Sequence, residues 1–204
     1  MKQGQIFFRM DDLGWHHDRF LQAAEIFAQS RQKLNVAAIP LFCLESFGTN
    51  PIAKFSRHLQ VHTHGLAHLD HQNAGKKAEF GSQRKKEGVS RDLNKGKTVL
   101  NQLFGNLFFP AFTPPWNRME KEFFPLLVES GYQVLSRDGE KTSDTKGLTD
   151  LNVHIDVHTR KGGVRHTLPE LLSEISNLQK TQRTVGIMLH HKYMRSEERR
   201  VGKE

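Results

Sequence analysis

A single cysteine in 204 residues excludes an internal disulfide framework and any zinc knuckle built on thiolates. That residue, Cys43, lies in the apolar run VAAIPLFCL, which marks it as an inert core thiol. No stretch approaches the ~18–20 consecutive apolar residues of a membrane span. The opening MKQGQIFFRMDD lacks the long apolar core of a secretory signal. A soluble, cytoplasmic protein without a membrane partner is therefore the expectation. Tyrosine and tryptophan are scarce, at two each, whereas phenylalanine numbers 14, so the buried bulk rests on plain phenyl rings. Apolar residues reach only 36%, low but enough for one globular core in a chain of this length.

Acidic charge is the minority, and the formal net charge is +8. Eight bases lie between Lys76 and Lys97 (Lys76, Lys77, Arg84, Lys85, Lys86, Arg91, Lys95 and Lys97) against three acids. Such a run reads either as a nucleic-acid patch or as the solvated face of a helix. Single-strand binders interleave stacking rings with their bases, and Phe80 is the only ring in that stretch. The helix face is the better reading, and no nucleic-acid partner is expected. Oligomeric state leaves no trace in the sequence.

Short β-like runs alternate with helical ones. Seven strands are predicted: QIFFRM, LNVAAIPLF, LQVHTH, NLFFPAFTPP, YQVLS, LNVHIDVHT and TVGIML. Helices are predicted for HDRFLQAAEIFAQS, PIAKFSRH, SRDLNKGKTVLNQLFG, MEKEFFPLLVESG and TLPELLSEISNLQK, with a polar loop from Arg137 to Asp150. This alternation predicts a single α/β domain around a parallel sheet, either a barrel or doubly wound. The last ten residues, RSEERRVGKE, have no apolar periodicity and look like translated sequencing-adaptor read-through. The expected domain is therefore 1–194, with 195–204 a non-native tail replacing the natural C-terminal segment.

Four pieces carry chemistry. Asp11 and Asp12 end the first strand, at the edge where parallel α/β folds build their sites. Neighbours on a strand point to opposite sides unless the chain turns, and Leu13-Gly14 permits a turn; a helix cap is the plainer reading. VHTHGLAHLDH follows the third strand, with His64 and His68 four residues apart and His62, Asp70 and His71 close by. A helical turn after Gly65 would bring His64 and His68 to one face, able to share a metal. The competing reading is a histidine-rich surface loop. In AFTPPWNR, Pro114 and Pro115 offer no N–H, so Trp116 supplies the first free amide; a rigid turn explains the piece equally well. GIMLHH places His190 and His191 at the end of the last strand, where a histidine makes a good general acid.

Together and in this order, RMDDLG, HGLAH, TPPWN, HIDVH and MLHH resemble the motifs of the polysaccharide deacetylases, the NodB-homology group known as carbohydrate esterase family 4. They run from Arg9 to His191, nearly the whole chain, and look most like a divergent bacterial branch. The resemblance implies a distorted (β/α)7 barrel and metal-dependent hydrolysis of an N-acetyl or related N-acyl group. The implied substrate is an amino sugar or other carbohydrate. Non-sugar amides, or an inactive carbohydrate-holding module, are the alternatives. By the same resemblance Asp11 is the general base, and Asp12, His64 and His68 hold Zn²⁺ or another divalent ion such as Co²⁺, Fe²⁺ or Ni²⁺. Trp116, next to Pro115, lends its amide to the oxyanion. The acid is His190 or His191, and Asp156 stands behind it or near Asp11. His62 orients a ligand imidazole. The family's third-motif arginine is replaced by Thr113, and Arg9, two residues before Asp11 on the same side of the strand, could take its place beside the base.

Overall fold

A computed structural model describes residues 4–15, 17–46, 52–139, 144–158 and 167–193. The tail at 195–204 lies outside them. Eight strands form one sheet: β1 (Gln5–Leu13), β2 (Leu34–Ala38), β3 (Leu59–His64), β4 (Phe108–Thr113), β5 (Val134–Leu135), β6 (Thr149–Asp150), β7 (Val153–Asp156) and β8 (Thr184–His190). Their order is β6-β5-β4-β3-β2-β1-β8-β7, and every pairing is parallel. The sheet curls into an open barrel of the NodB type, and an isolated bridge joins Asp138, in the segment after β5, to Val153 of β7. The strand beyond the predicted seven is β6, two residues at the end of the polar loop, too short to leave a pattern.

Five α-helices accompany the strands: α1 (His17–Gln29), α2 (Pro40–Ser46), α3 (Lys86–Phe104), α4 (Phe124–Glu129) and α5 (Leu168–Thr181). α5 opens with a capping box, Thr167 and Glu170 each satisfying the other's backbone N–H. Two expectations are corrected. The run LNVAAIPLF is a strand only to Ala38; Pro40, which needs no N–H partner, starts α2, so Cys43 is helical, though fully buried. An unbroken apolar run looks alike in a buried strand and a buried helix. PIAKFSRH makes only a 3₁₀ turn at Ala53–Phe55, too short for a helix of its own.

Phenylalanine fills the interior, with Phe20, Phe80, Phe112, Phe123 and Phe124 essentially inaccessible. Each contributes roughly 1.5–3 kcal/mol by leaving water. α3 turns Val89, Leu93 and Leu100 inward and leaves Lys86, Arg91 and Lys95 outside, so this part of the basic run lies on a solvated face. Gly96 lets α3 approach closely: a Cβ there would meet Pro40 at 3.2 Å and Thr63 at 3.3 Å. At the far edge, the β7–β8 register slips between Val153 and Ile155. There two histidine rings stand in for ladder carbonyls, with Gly186 N–H donating to His154 Nδ1 at 3.0 Å and His190 N–H to His158 Nδ1 at 3.2 Å. No described helix is long and apolar enough to cross a membrane.

Candidate metal and acid–base site

Buried polar residues are costly unless paired, and here they gather at one end of the barrel. Arg9, Asp11, Asp12, His62, His64, Glu79 and Thr113 are all at most 4% exposed. Two of the adjacent residues, Asp11 and Asp12, diverge because the chain leaves strand geometry between them. Asp12 has φ 71, and the β1–β2 register shifts between Met10 and Leu13. A non-glycine residue in that region is uncommon and marks a site of stored strain.

Asp12 faces His64 and His68, each with Nε2 at 3.4 Å from its Oδ1. That spacing is long for a hydrogen bond but close to the ligand–ligand edge, about 3.3–3.4 Å, of a tetrahedral site with bonds of about 2.0–2.1 Å. His64 turns its other nitrogen, Nδ1, to the Thr113 carbonyl at 3.0 Å, so Nε2 is left to the site. These donors therefore suit a divalent transition ion. Burial alone would raise the Asp12 carboxyl, but His64 and Lys192 hold it below its usual range. Burial depresses His68 to about 4, helped by the neighbouring His64, whereas the Asp12 and Asp11 carboxylates outweigh burial and raise His64.

The path from His64 to His68 is not the predicted helical turn. His64 ends β3, Gly65 takes φ +66, and His68 sits at φ 53. A Cβ on Gly65 would fall 2.1 Å from Glu79 Oε2 and 2.6 Å from Pro115. Glu79 is what shapes the loop, accepting the N–H groups of Leu66 and Ala67 at 3.0 Å and of His68 at 3.1 Å. Burial raises its carboxyl despite those bonds. Asp70 and His71 lie exposed away from the site, Asp70 serving the loop by accepting from Gln72 and Ala78.

Asp11 takes both arms of Arg9, Nε to Oδ1 and Nη2 to Oδ2, each at 2.8 Å. Burial pushes the Asp11 carboxyl up, and the Arg9 charge, with His64 and His190, brings it below its ordinary value. Arg9 also donates to Ser136 Oγ at 2.9 Å and Asn117 Oδ1 at 2.7 Å. His62 lies behind this pair, its Nε2 at 2.9 Å from Thr113 Oγ1; burial and then Arg9 keep it neutral, with a pKa down to about 3.

His190 lies beside Asp11 in the β1–β8 register, its Nδ1 at 3.8 Å from Asp156 Oδ1. His191 points elsewhere: it is fully buried, with Nε2 against the Trp15 carbonyl at 2.6 Å. Trp116 and Asn117 are both left-handed, at φ 54 and 59. The indole of Trp116 packs on His68 at 4.4 Å, with Trp15 on the same imidazole at 5.1 Å. Pro115 is buried against the Gly65 turn. A cavity of about 450 Å³, lined by Gln72, Lys76, Asn117, Arg118 and Glu120 among others, opens beside Asn117.

Sequence reasoning missed Glu79, Trp15 and Lys192. Lys192 Nζ contacts Asp12 Oδ2 at 2.8 Å and lies over the Trp15 ring. Its place two residues after His190, at a strand end, was the one available signal. Glu79 carries none, because a lone acid in a polar loop looks solvated.

No family model and no curated protein sequence matches the chain. Solved structures do. A protein assigned to the polysaccharide deacetylases from Mycobacterium smegmatis matches 93% of this chain and 77% of its own, with TM-score 0.67 and 13% identity. A carbohydrate esterase family 4 enzyme from Streptococcus mutans matches 93% and 75%, with TM-score 0.62 and 12% identity. A pseudoenzyme of the same family from Bacillus anthracis matches 93% and 56%, with TM-score 0.56 and 11% identity. The chain thus has the carbohydrate esterase family 4 fold, a frame shared by esterases and at least one pseudoenzyme.

Proposed function

We propose that this chain, on the frame of the polysaccharide deacetylases, is a metal-dependent hydrolase that removes an N-acetyl or related N-acyl group from an amino sugar. The observation that carries the reading is the pairing of Asp12, equidistant from two imidazole nitrogens, with the Arg9-held Asp11 on the residue before it. Asp12, His64 and His68 would hold the ion, Zn²⁺ by the borderline softness of the donor set. Bound there, it supplies Lewis acidity towards the acyl carbonyl and acidity to water.

The chain's own groups do the rest. Asp11, kept ionised by Arg9, accepts the proton of the attacking water. The Trp116 N–H faces the oxygen on which negative charge develops. His190, backed by Asp156, protonates the departing amine, and His191 holds the start of α1 through Trp15. Trp15 and Trp116 offer apolar ring faces for a sugar, and the cavity beside Asn117 gives room for more than an acetyl group. The amide could belong to a non-sugar compound, and the pseudoenzyme neighbour shows that the fold alone does not guarantee turnover.

The test is metal content by mass spectrometry together with acetate release from N-acetylglucosamine oligomers, comparing wild type with His64→Ala. About one transition ion per chain, lost with activity in the variant, supports the reading. No metal in either protein after zinc is supplied overturns it.

A further inference from the structure

A second group of ligands lies outside the Asp12 set. Asp156, His158 and His190 each bring one donor atom within 4.8 Å of the others. The 3.8 Å between Asp156 Oδ1 and His190 Nδ1 is too long for a hydrogen bond, and that nitrogen is buried with no hydrogen-bond partner. It is nearer the edge of a metal polyhedron, about 3.3–3.4 Å for bonds of about 2.0–2.1 Å. His158 keeps Nδ1 unprotonated to accept the His190 N–H at a long 3.2 Å, a bond that an ion on this nitrogen would have to displace, which is one reason the site would be weak. Asp156 Oδ1 in turn takes the His158 N–H at 2.9 Å, which fixes the carboxylate at the bottom of the group. The Tyr193 ring closes one side, 5.8 Å from His158 and 6.0 Å from His190.

We propose that Asp156, His158 and His190 form a second, weaker site for Zn²⁺ or a similar transition ion, and that filling it disables the proton donor. The binding half stands on this geometry alone; the inhibitory half rests on the assignment of His190 as the acid. With its Nδ1 lone pair given to an ion, His190 cannot become an imidazolium. Its remaining N–H is then far too weak an acid to protonate a leaving amine at neutral pH. Two imidazoles and one carboxylate suit Zn²⁺ or Co²⁺ rather than Mg²⁺ or Ca²⁺. Excess metal would thus act as a brake on an enzyme that needs one equivalent to work.

Equilibrium dialysis against rising Zn²⁺, repeated with Co²⁺ for its visible absorption, reads the sites directly. Wild type should take up a second equivalent at least about 10-fold more weakly than the first. Asp156→Asn and His158→Gln should each lose only the weak one, with melting temperatures showing that both variants fold. His64→Ala should lose the tight equivalent and keep the weak one. Filling the weak site should slow deacetylation of an amide about 100-fold, the smaller end of what a general acid supplies. Hydrolysis of a nitrophenyl acetate, whose leaving group needs no proton, should be nearly untouched. A wild type that binds one equivalent only, or a second equivalent that survives in both variants, overturns the site. Equal inhibition of amide and ester overturns the brake. Failure of the tight site in wild type would sink the deacetylase reading while leaving the weak site's dependence on His158 readable.

Discussion

Replacing Arg9 by methionine removes a charge from the barrel interior while roughly keeping the side-chain length. The guanidinium is 1% exposed and its partner Asp11 is 3% exposed, so water cannot take over the lost bonds. Stranding one member of a buried ion pair costs about 3–5 kcal/mol. At about 2–4 °C per kcal/mol for a domain of this size, the melting temperature should fall by about 6–20 °C. The loss is not all one contact, since Ser136 Oγ and Asn117 Oδ1 also lose a donor. A double-mutant cycle separates the parts. Adding Asp11→Asn to Arg9→Met removes the stranded charge and should recover about 2 kcal/mol or more of the penalty, measured by urea unfolding. The same single variant should move the acid limb of the pH–rate profile upward, because without the guanidinium only His64 and His190 oppose the effect of burial on the Asp11 carboxyl. Additive single-variant costs together with an unmoved acid limb would refute the reasoning that Arg9 keeps Asp11 charged.

Three further outcomes follow from neighbouring contacts. Glu79→Gln keeps the shape of the side chain but weakens its hold on three N–H groups of the His68 loop; metal affinity, read by competition with a chelating dye, should fall about 10–100-fold. Lys192→Met removes a cation from Asp12 Oδ2, and the same dye should report tighter binding, by about 10-fold on the order expected for one nearby charge. In metal-free protein, His62 stays neutral in the fold down to about 3, whereas the unfolded chain takes a proton at 6.5. The unfolded state therefore binds more protons across that window, and stability should fall as pH drops through it, by at most about 1.4 kcal/mol per unit. His62→Gln should flatten that slope in urea titrations.

Much of this arrangement was legible in the residues. The order of RMDD, HGLAH, TPPWN, HIDVH and MLHH placed Asp11, Asp12, His64, Thr113 and His190 at strand ends that the fold brings to one end of the barrel, but not Ser136 or Lys192. Spacing could not supply backbone conformation. Asp12, His68, Trp116 and Asn117 all adopt positive φ, which sequence favours only for glycine and, less strongly, asparagine or aspartate. A helical turn was the economical way to join His64 to His68, but a buried glutamate eleven residues beyond His68 does the work instead. Long-range partners of that sort leave no local period. His190 and His191 likewise look alike in the sequence, whereas in the fold His190 stands beside Asp11 and His191 is buried against Phe20 and the Trp15 carbonyl.

The two rings that replace ladder carbonyls along β7 also give the barrel an order of disassembly. An imidazole that accepts an amide N–H can do so only while that nitrogen is bare; one proton turns it into a donor facing a donor. Acid would therefore loosen β7 from β8 at Gly186 and His190, whereas the hydrogen bonds of the β1–β5 ladders run between peptide groups, which take up no proton in that range. Amide exchange at these two positions should quicken first as the solution is acidified. The acid-sensitive seam thus lies at the strand that positions the proposed acid, away from the strands that would hold the ion.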